Sequence, residues 1–179
     1  MKRITIQELR AAAPALRAGE EIHLSGTIYT ARDAVHKRLM RLIAEGAPLP
    51  FEIRDAVVYH AGPTPAPEGL PIGSCGPTTS SRMDPYAPTL YDMGLLATIG
   101  KGDRAPAVYD AIVRNGGLYL CALGGAGALC AGAVRECEVC AFPELGCESV
   151  KRLVVEDFSV FVGIDTRGNS IFPRVESSK

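Results

Sequence analysis

The sequence predicts an α/β fold on a mixed sheet. Three observations predict it. Short apolar runs with strand alternation recur between residues 21 and 164. Helical patterns with cap signals stand between the earlier runs, and Gly/Pro turn signals keep each element short. At 179 residues the chain is one domain's worth of material, 1–179, and with 47% apolar and 22% charged residues it can bury a core.

Thr5 and Glu8 have capping-box spacing and predict a first helix, closed by Pro14. Glu21–Tyr29 alternates as a strand. Thr30 and Asp33 repeat the capping-box pattern before a helix that carries Val35, Leu39, Leu42 and Ile43 on one face and ends near Gly46. A strand is expected at Ala56–His60 inside a Pro- and Gly-rich stretch. A turn-to-helix passage is expected from Gly76-Pro77. A strand follows at Leu95–Ile99, then a sharp Gly-Lys-Gly loop at 100–102, and a helix capped by Asp103 with Pro106 in its first turn. Strand-like runs at 118–123, 134–141, 153–156 and 160–164 complete the reading.

Composition excludes several function classes. Nineteen Lys+Arg against twenty Asp+Glu leave no basic excess to recruit nucleic acid or an anionic membrane surface. Six Cys are too sparse for a disulfide scaffold, and MKRITIQELR lacks the apolar core of a signal peptide. A cytoplasmic, reduced protein is expected. The run from Asn115 to Val134 is uncharged and long enough to span a bilayer, but its glycines divide it into a buried strand, a turn and a small-residue helical segment.

Three loops carry anion-binding chemistry. In Gly76-Pro77-Thr78-Thr79-Ser80-Ser81-Arg82 a fixed turn precedes four hydroxyls and a guanidinium. A helix starting here would turn its free N–H groups to the same side. Arg32, two residues past Thr30, falls in a helical first turn, where the dipole repels a cation unless an anion holds it. Lys101 stands between glycines that allow close backbone approach. Other candidates are weaker. Cys137 and Cys140 sit three apart on a strand and point to opposite faces, so no metal site is expected there. Gly124–Gly132 fails the dinucleotide-loop spacing because Cys130 replaces the third Gly. His23, His36 and His60 show no partner and read as structural.

Leu24–Arg38 (LSGTIYTARDAVHKR), Gly76–Tyr86 (GPTTSSRMDPY) and Ile99–Gly102 (IGKG) resemble the β-subunit, or C-terminal domain, of class I fumarate hydratase and L-tartrate dehydratase. Pro143–Gly146 and Val155–Asp165 continue the resemblance. It implies a three-layer β/β/α swivelling domain. It also implies a hydro-lyase that interconverts a 2-hydroxy dicarboxylate and its unsaturated product with a [4Fe-4S] cluster. The cysteines holding that cluster belong to the other subunit, so the expected partner is a cluster-binding α-subunit, in a heterotetramer of two α and two β chains. Carried over by motif, Arg32, Arg82 and Lys101 contact substrate carboxylates, and Thr78 binds substrate and acts as general base. Fumarate hydratase is the leading reading. Tartrate dehydratase and a non-catalytic anion-binding module are the alternatives.

Overall fold

Thr5 ends one element and starts the next. It closes the edge strand β1 (Lys2–Thr5), which the sequence reading missed, and caps helix α1 (Ile6–Ala12). Its Oγ1 accepts the Glu8 N–H at 3.3 Å, and the Glu8 carboxylate accepts the Thr5 N–H at 3.1 Å. This is the reciprocal box that the spacing predicts. The structure, a computed structural model, describes residues 2–123 and 125–173.

The elements that follow are β2 (Glu21–Thr30), α2 (Asp33–Glu45), β3 (Val57–Tyr59), α3 (Ala87–Asp92) and β4 (Ala97–Gly100). Then come α4 (Pro106–Asn115), β5 (Leu118–Cys121), α5 (Gly127–Gly132), β6 (Val134–Ala141) and β7 (Val150–Ile164). The predicted membrane-length run becomes β5, a turn and α5. Leu123 is not part of the buried strand, being 57% exposed. Among the described residues no helix is long and apolar enough to cross a membrane. Gly124 lies outside the described residues.

The sheet is mixed, as expected. β1 to β5 run parallel in the order β1-β2-β3-β4-β5, and β7 and β6 join antiparallel. β7 also pairs antiparallel with β2, so β2, β3, β4, β5 and β7 close into a five-stranded barrel. The sequence gave two separate runs where β7 is one strand of fifteen residues. Glu156 and Asp157 interrupt the apolar pattern, and Asp157 takes φ 52° opposite the Leu24/Gly26 register shift. The strand bends there and continues, as strands do at a bulge.

Period-two alternation feeds two cores. Val57 and Tyr59 join Leu9, Leu24, Leu118 and Phe158 on one face, while Val58 joins Val35, Leu39, Leu90 and Ile112 beneath the helices on the other. Central parallel strands buried on both faces read as unbroken apolar runs, and VVY in β3 is one.

Candidate functional site

β2, β3 and β4 end level with one another. Thr30 is in register with Tyr59, and Tyr59 with Ile99. The loops leaving these three carboxyl ends carry Arg32, His60 to Gly62, and Lys101. Ligands of α/β proteins ordinarily bind on this side of parallel strands.

The 76–82 loop is stitched between two of those exits. The Thr78 N–H donates to the His60 carbonyl at 2.6 Å, the Lys101 N–H to the Thr78 carbonyl at 3.3 Å, and the Ser80 N–H to the Lys101 carbonyl at 2.9 Å. Backbone groups thus fix Thr78 and Lys101 side by side. Gly100 is required here: a Cβ would come within 1.8 Å of Ser80 Oγ. The helix expected to start in this loop is instead one 3₁₀ turn, Ser80–Met83, and α3 begins only at Ala87. Pro85 lacks an N–H, and Pro88 enters the first turn of α3, so the chain reaches a helix late. The array of helix N–H groups anticipated around the hydroxyls is therefore not formed.

Thr30 does not cap α2. It is the last residue of β2, and its Oγ1 donates to the Ser149 carbonyl at 3.2 Å and accepts the Lys151 N–H at 3.0 Å. Arg32 is itself the N-cap residue, in extended conformation. Its carbonyl accepts the His36 N–H at 2.9 Å and His36 Nδ1–H at 2.8 Å. The side chain lies along Gly62, where a Cβ would come within 2.9 Å of Nη1. An anion does hold the guanidinium, and it is internal: Glu148 Oε1, 3.4 Å from Nε.

Arg82 pairs with Asp33 on the adjacent residue of the same helix start. That contact places Arg82 at the Arg32 exit, so the cations and Thr78 line one rim. Thr78 is half-buried, while Lys101 and Arg82 are exposed. Arg32 Nε and Asp33 Oδ1 are buried and have no hydrogen-bond partner. Buried polar atoms in this state ordinarily receive one from a ligand or water.

Beneath the rim lies a polar layer that the sequence reading treated as isolated structural residues. Buried Arg104 pairs with Asp84 at 2.6 Å, donates to Thr98 Oγ1 at 2.9 Å and stacks over the Tyr119 ring. Asp84, not Asp103, receives the Ala105 N–H before α4, also at 2.6 Å. His60 Nδ1 is 2.9 Å from Ser80 Oγ. Burial holds His36 down to about 4 and His60 well below the ordinary histidine value, so both rings are neutral at physiological pH. Asp33 and Arg104, which anchor these loops, had one usable signal: each directly neighbours or closely follows a singled-out residue.

The cysteines do not gather. Cys75 and Cys130 are buried, Cys140 and Cys147 are exposed, and Cys137 packs partly against the core. Burial raises Cys75 to about 12 and Cys121 to about 11, which disfavours the thiolate that binds metal. Among the described residues no three His, Cys, Asp or Glu side chains could hold a metal ion. The residues described here therefore do not fit an iron–sulfur cluster. A groove of about 310 Å³ opens at Pro63, lined by Thr64, Cys137, Cys147 and Lys151, and does not include the four rim residues.

The family model described as Fumarase C-terminus matches residues 1–175. The chain is 40% identical over 160 residues to "Fumarate hydratase class I, aerobic" of Salmonella typhimurium, covering 88% of this chain and 28% of that protein. It is 38% identical over 172 residues to "Fumarate hydratase class I, anaerobic" of Escherichia coli, covering 95% and 31%. It is also 34% identical over 166 residues to the "Putative L(+)-tartrate dehydratase subunit beta" of Methanocaldococcus jannaschii, covering 89% and 85%. The chain thus spans about a third of the length of the fumarate hydratases it matches, and most of the length of the β-subunit. With its motifs in place at the ends of β2, β3 and β4 and its length matched by the family model, this chain belongs to the fumarase C-terminus family.

Proposed function

We propose that the chain is the β-subunit-type domain, 1–179, of a two-subunit hydro-lyase that interconverts malate and fumarate. The observation that carries this reading is the rim itself. Three cations and a hydroxyl face one opening, and both arginines rest on carboxylates of their own chain. A dicarboxylate substrate offers the same groups. Its carboxylates would replace Asp33 on Arg82 and Glu148 on Arg32, with Lys101 adding a point charge.

The chemistry asked of this chain is binding, orientation and one proton movement. Removing a proton from the carbon beside a carboxylate builds negative charge, which the guanidinium and ammonium groups stabilise best in a dry site. Thr78 would take that proton at its Oγ1. A threonine hydroxyl is ordinarily a very poor base, so this role needs cationic neighbours and exclusion of water by a second subunit. The [4Fe-4S] cluster that the resemblance implies is proposed to lie with its cysteines on an α-subunit. Two α and two β chains are the proposed assembly, and the swivelling three-layer description is the proposed way this domain closes on its partner.

The test is anaerobic co-expression with a candidate cluster-bearing subunit, followed by assays of fumarate and tartrate. Fumarate hydration by the complex, and by neither chain alone, supports the reading. Turnover of tartrate with no turnover of fumarate replaces the substrate, and anion binding without turnover replaces the enzyme with a binding module.

A further inference from the structure

Five buried side-chain atoms among the described residues have no hydrogen-bond partner. Two of them, Arg32 Nε and Asp33 Oδ1, belong to the rim. The other three, His36 Nε2, His60 Nε2 and Arg104 Nη2, lie in the layer below it. Both histidine side chains and the Arg104 side chain are buried from solvent. The two rings meet edge to face with centroids 5.5 Å apart.

Their hydrogen-bonding needs are complementary. A carbonyl only accepts, so His36 Nδ1, 2.8 Å from the Arg32 carbonyl, carries the ring proton and Nε2 is a bare acceptor. Arg104 Nη2 is a donor. His60 spends Nδ1 on Ser80 Oγ, leaving Nε2 free in either tautomer. One water molecule can accept from Arg104, donate to His36 and meet His60 in either role. Three partners are the usual complement of a buried water.

We propose that His36, His60 and Arg104 hold a single buried water that locks the Arg32, Thr78 and Lys101 loops into one unit. Each holder governs a different loop. His36 grips the Arg32 carbonyl, and His60 grips the Thr78 N–H through its own carbonyl and Ser80 through its ring. Arg104 follows Lys101 by three residues and is anchored by Asp84 and Thr98. All three are positioning residues. Burial first, and then the positive charge of Arg104, keeps both rings neutral, as a bridging water requires.

Ring-nitrogen NMR of the uniformly ¹⁵N-labelled chain tests this directly, because the sequence has only three histidines. The expected result is a protonated Nδ1 and bare Nε2 on His36, with exchange cross-peaks at the water frequency from the Arg104 Nη2 protons. A bare Nδ1 on His36, a scalar coupling across a direct His60–His36 hydrogen bond, or no water cross-peak overturns the proposal. His60→Asn and His60→Gln then separate the two ring nitrogens. Asparagine reaches the Nδ1 position and keeps the Ser80 contact, while glutamine reaches the Nε2 position and restores the water contact.

The consequence for turnover rests on the function proposed above. In the reconstituted complex His60→Asn should lower kcat roughly tenfold to a hundredfold with KM little changed, because small misplacement of reacting groups costs that much. His60→Gln should recover part of the loss. Wild-type kcat in His60→Asn, with the water absent, overturns the locking role. An inactive wild-type complex would sink the hydro-lyase reading while leaving the water to be decided by the NMR result.

Discussion

Two arginine–aspartate pairs lie within one loop system and could hardly differ more. Arg104 and Asp84 have side chains 0% and 9% exposed, and each makes further hydrogen bonds. Arg82 and Asp33 are 49% and 28% exposed, and Asp33 Oδ1 is left without a partner. A buried pair with every neighbour engaged is costly to open, whereas an exposed pair contributes about 0–1 kcal/mol. The first pair therefore builds the floor of the site. The second is cheap to exchange, which is what a carboxylate-binding rim needs.

This contrast can be broken at several points. Thr78 Oγ1 takes part in no hydrogen bond among the described residues, so its side chain is not holding the loop. Thr78→Ala should lower kcat of the reconstituted complex by roughly 10²–10⁴-fold, with a thermal midpoint close to wild type. Thr78→Ser should keep measurable activity. Arg104→Leu strands the Asp84 carboxylate and should cost about 3–5 kcal/mol, read by denaturant unfolding of the isolated chain.

Acid should unfasten the floor before the rim. His36 has a folded-state value near 4 against an ordinary 6.5, so the unfolded chain binds its proton first as pH falls. Its contribution is complete above about pH 6.5 and is lost as pH falls towards 4. The loss is about 3 kcal/mol from His36, with His60 acting in the same direction. Urea midpoints across pH 4–7 measure it, and His36→Phe should flatten the slope.

The rim variants come last. Arg82→Lys loses the planar fork and should reduce kcat/KM roughly tenfold to a hundredfold, or about 1.5–3 kcal/mol, with little change in unfolding. Asp33→Asn should shift stability by less than about 1 kcal/mol.

The rim was legible in the sequence and the floor was not. Arg32, Thr78, Arg82 and Lys101 stand in short motifs whose glycines and hydroxyls announce a binding loop. His36, His60 and Arg104 are scattered single residues whose partners lie far away in sequence. Their meaning depends on which strands end level, and parallel pairing leaves no local mark. The element pattern was readable wherever alternation was clean, as in β2 and α2. It failed where tertiary structure overrode local signals. Thr30 looked like a cap, but its hydroxyl serves the backbone of Ser149 and Lys151 across the sheet. Barrel closure through β2 and β7 is likewise a long-range pairing, concealed by the polar bend at Glu156 and Asp157.

The central claim is that one arginine pair stays fixed while the other is exchanged for substrate carboxylates. The most direct measurement follows the arginine Nε–H signals of the isolated chain during titration with malate and, separately, with acetate at matched ionic strength. The account predicts that the Arg32 and Arg82 signals move together and saturate with malate, that acetate is much weaker, and that Arg104 does not move. Unchanged Arg32 and Arg82 signals, or equal and unsaturated drift of all arginines with either salt, would contradict it.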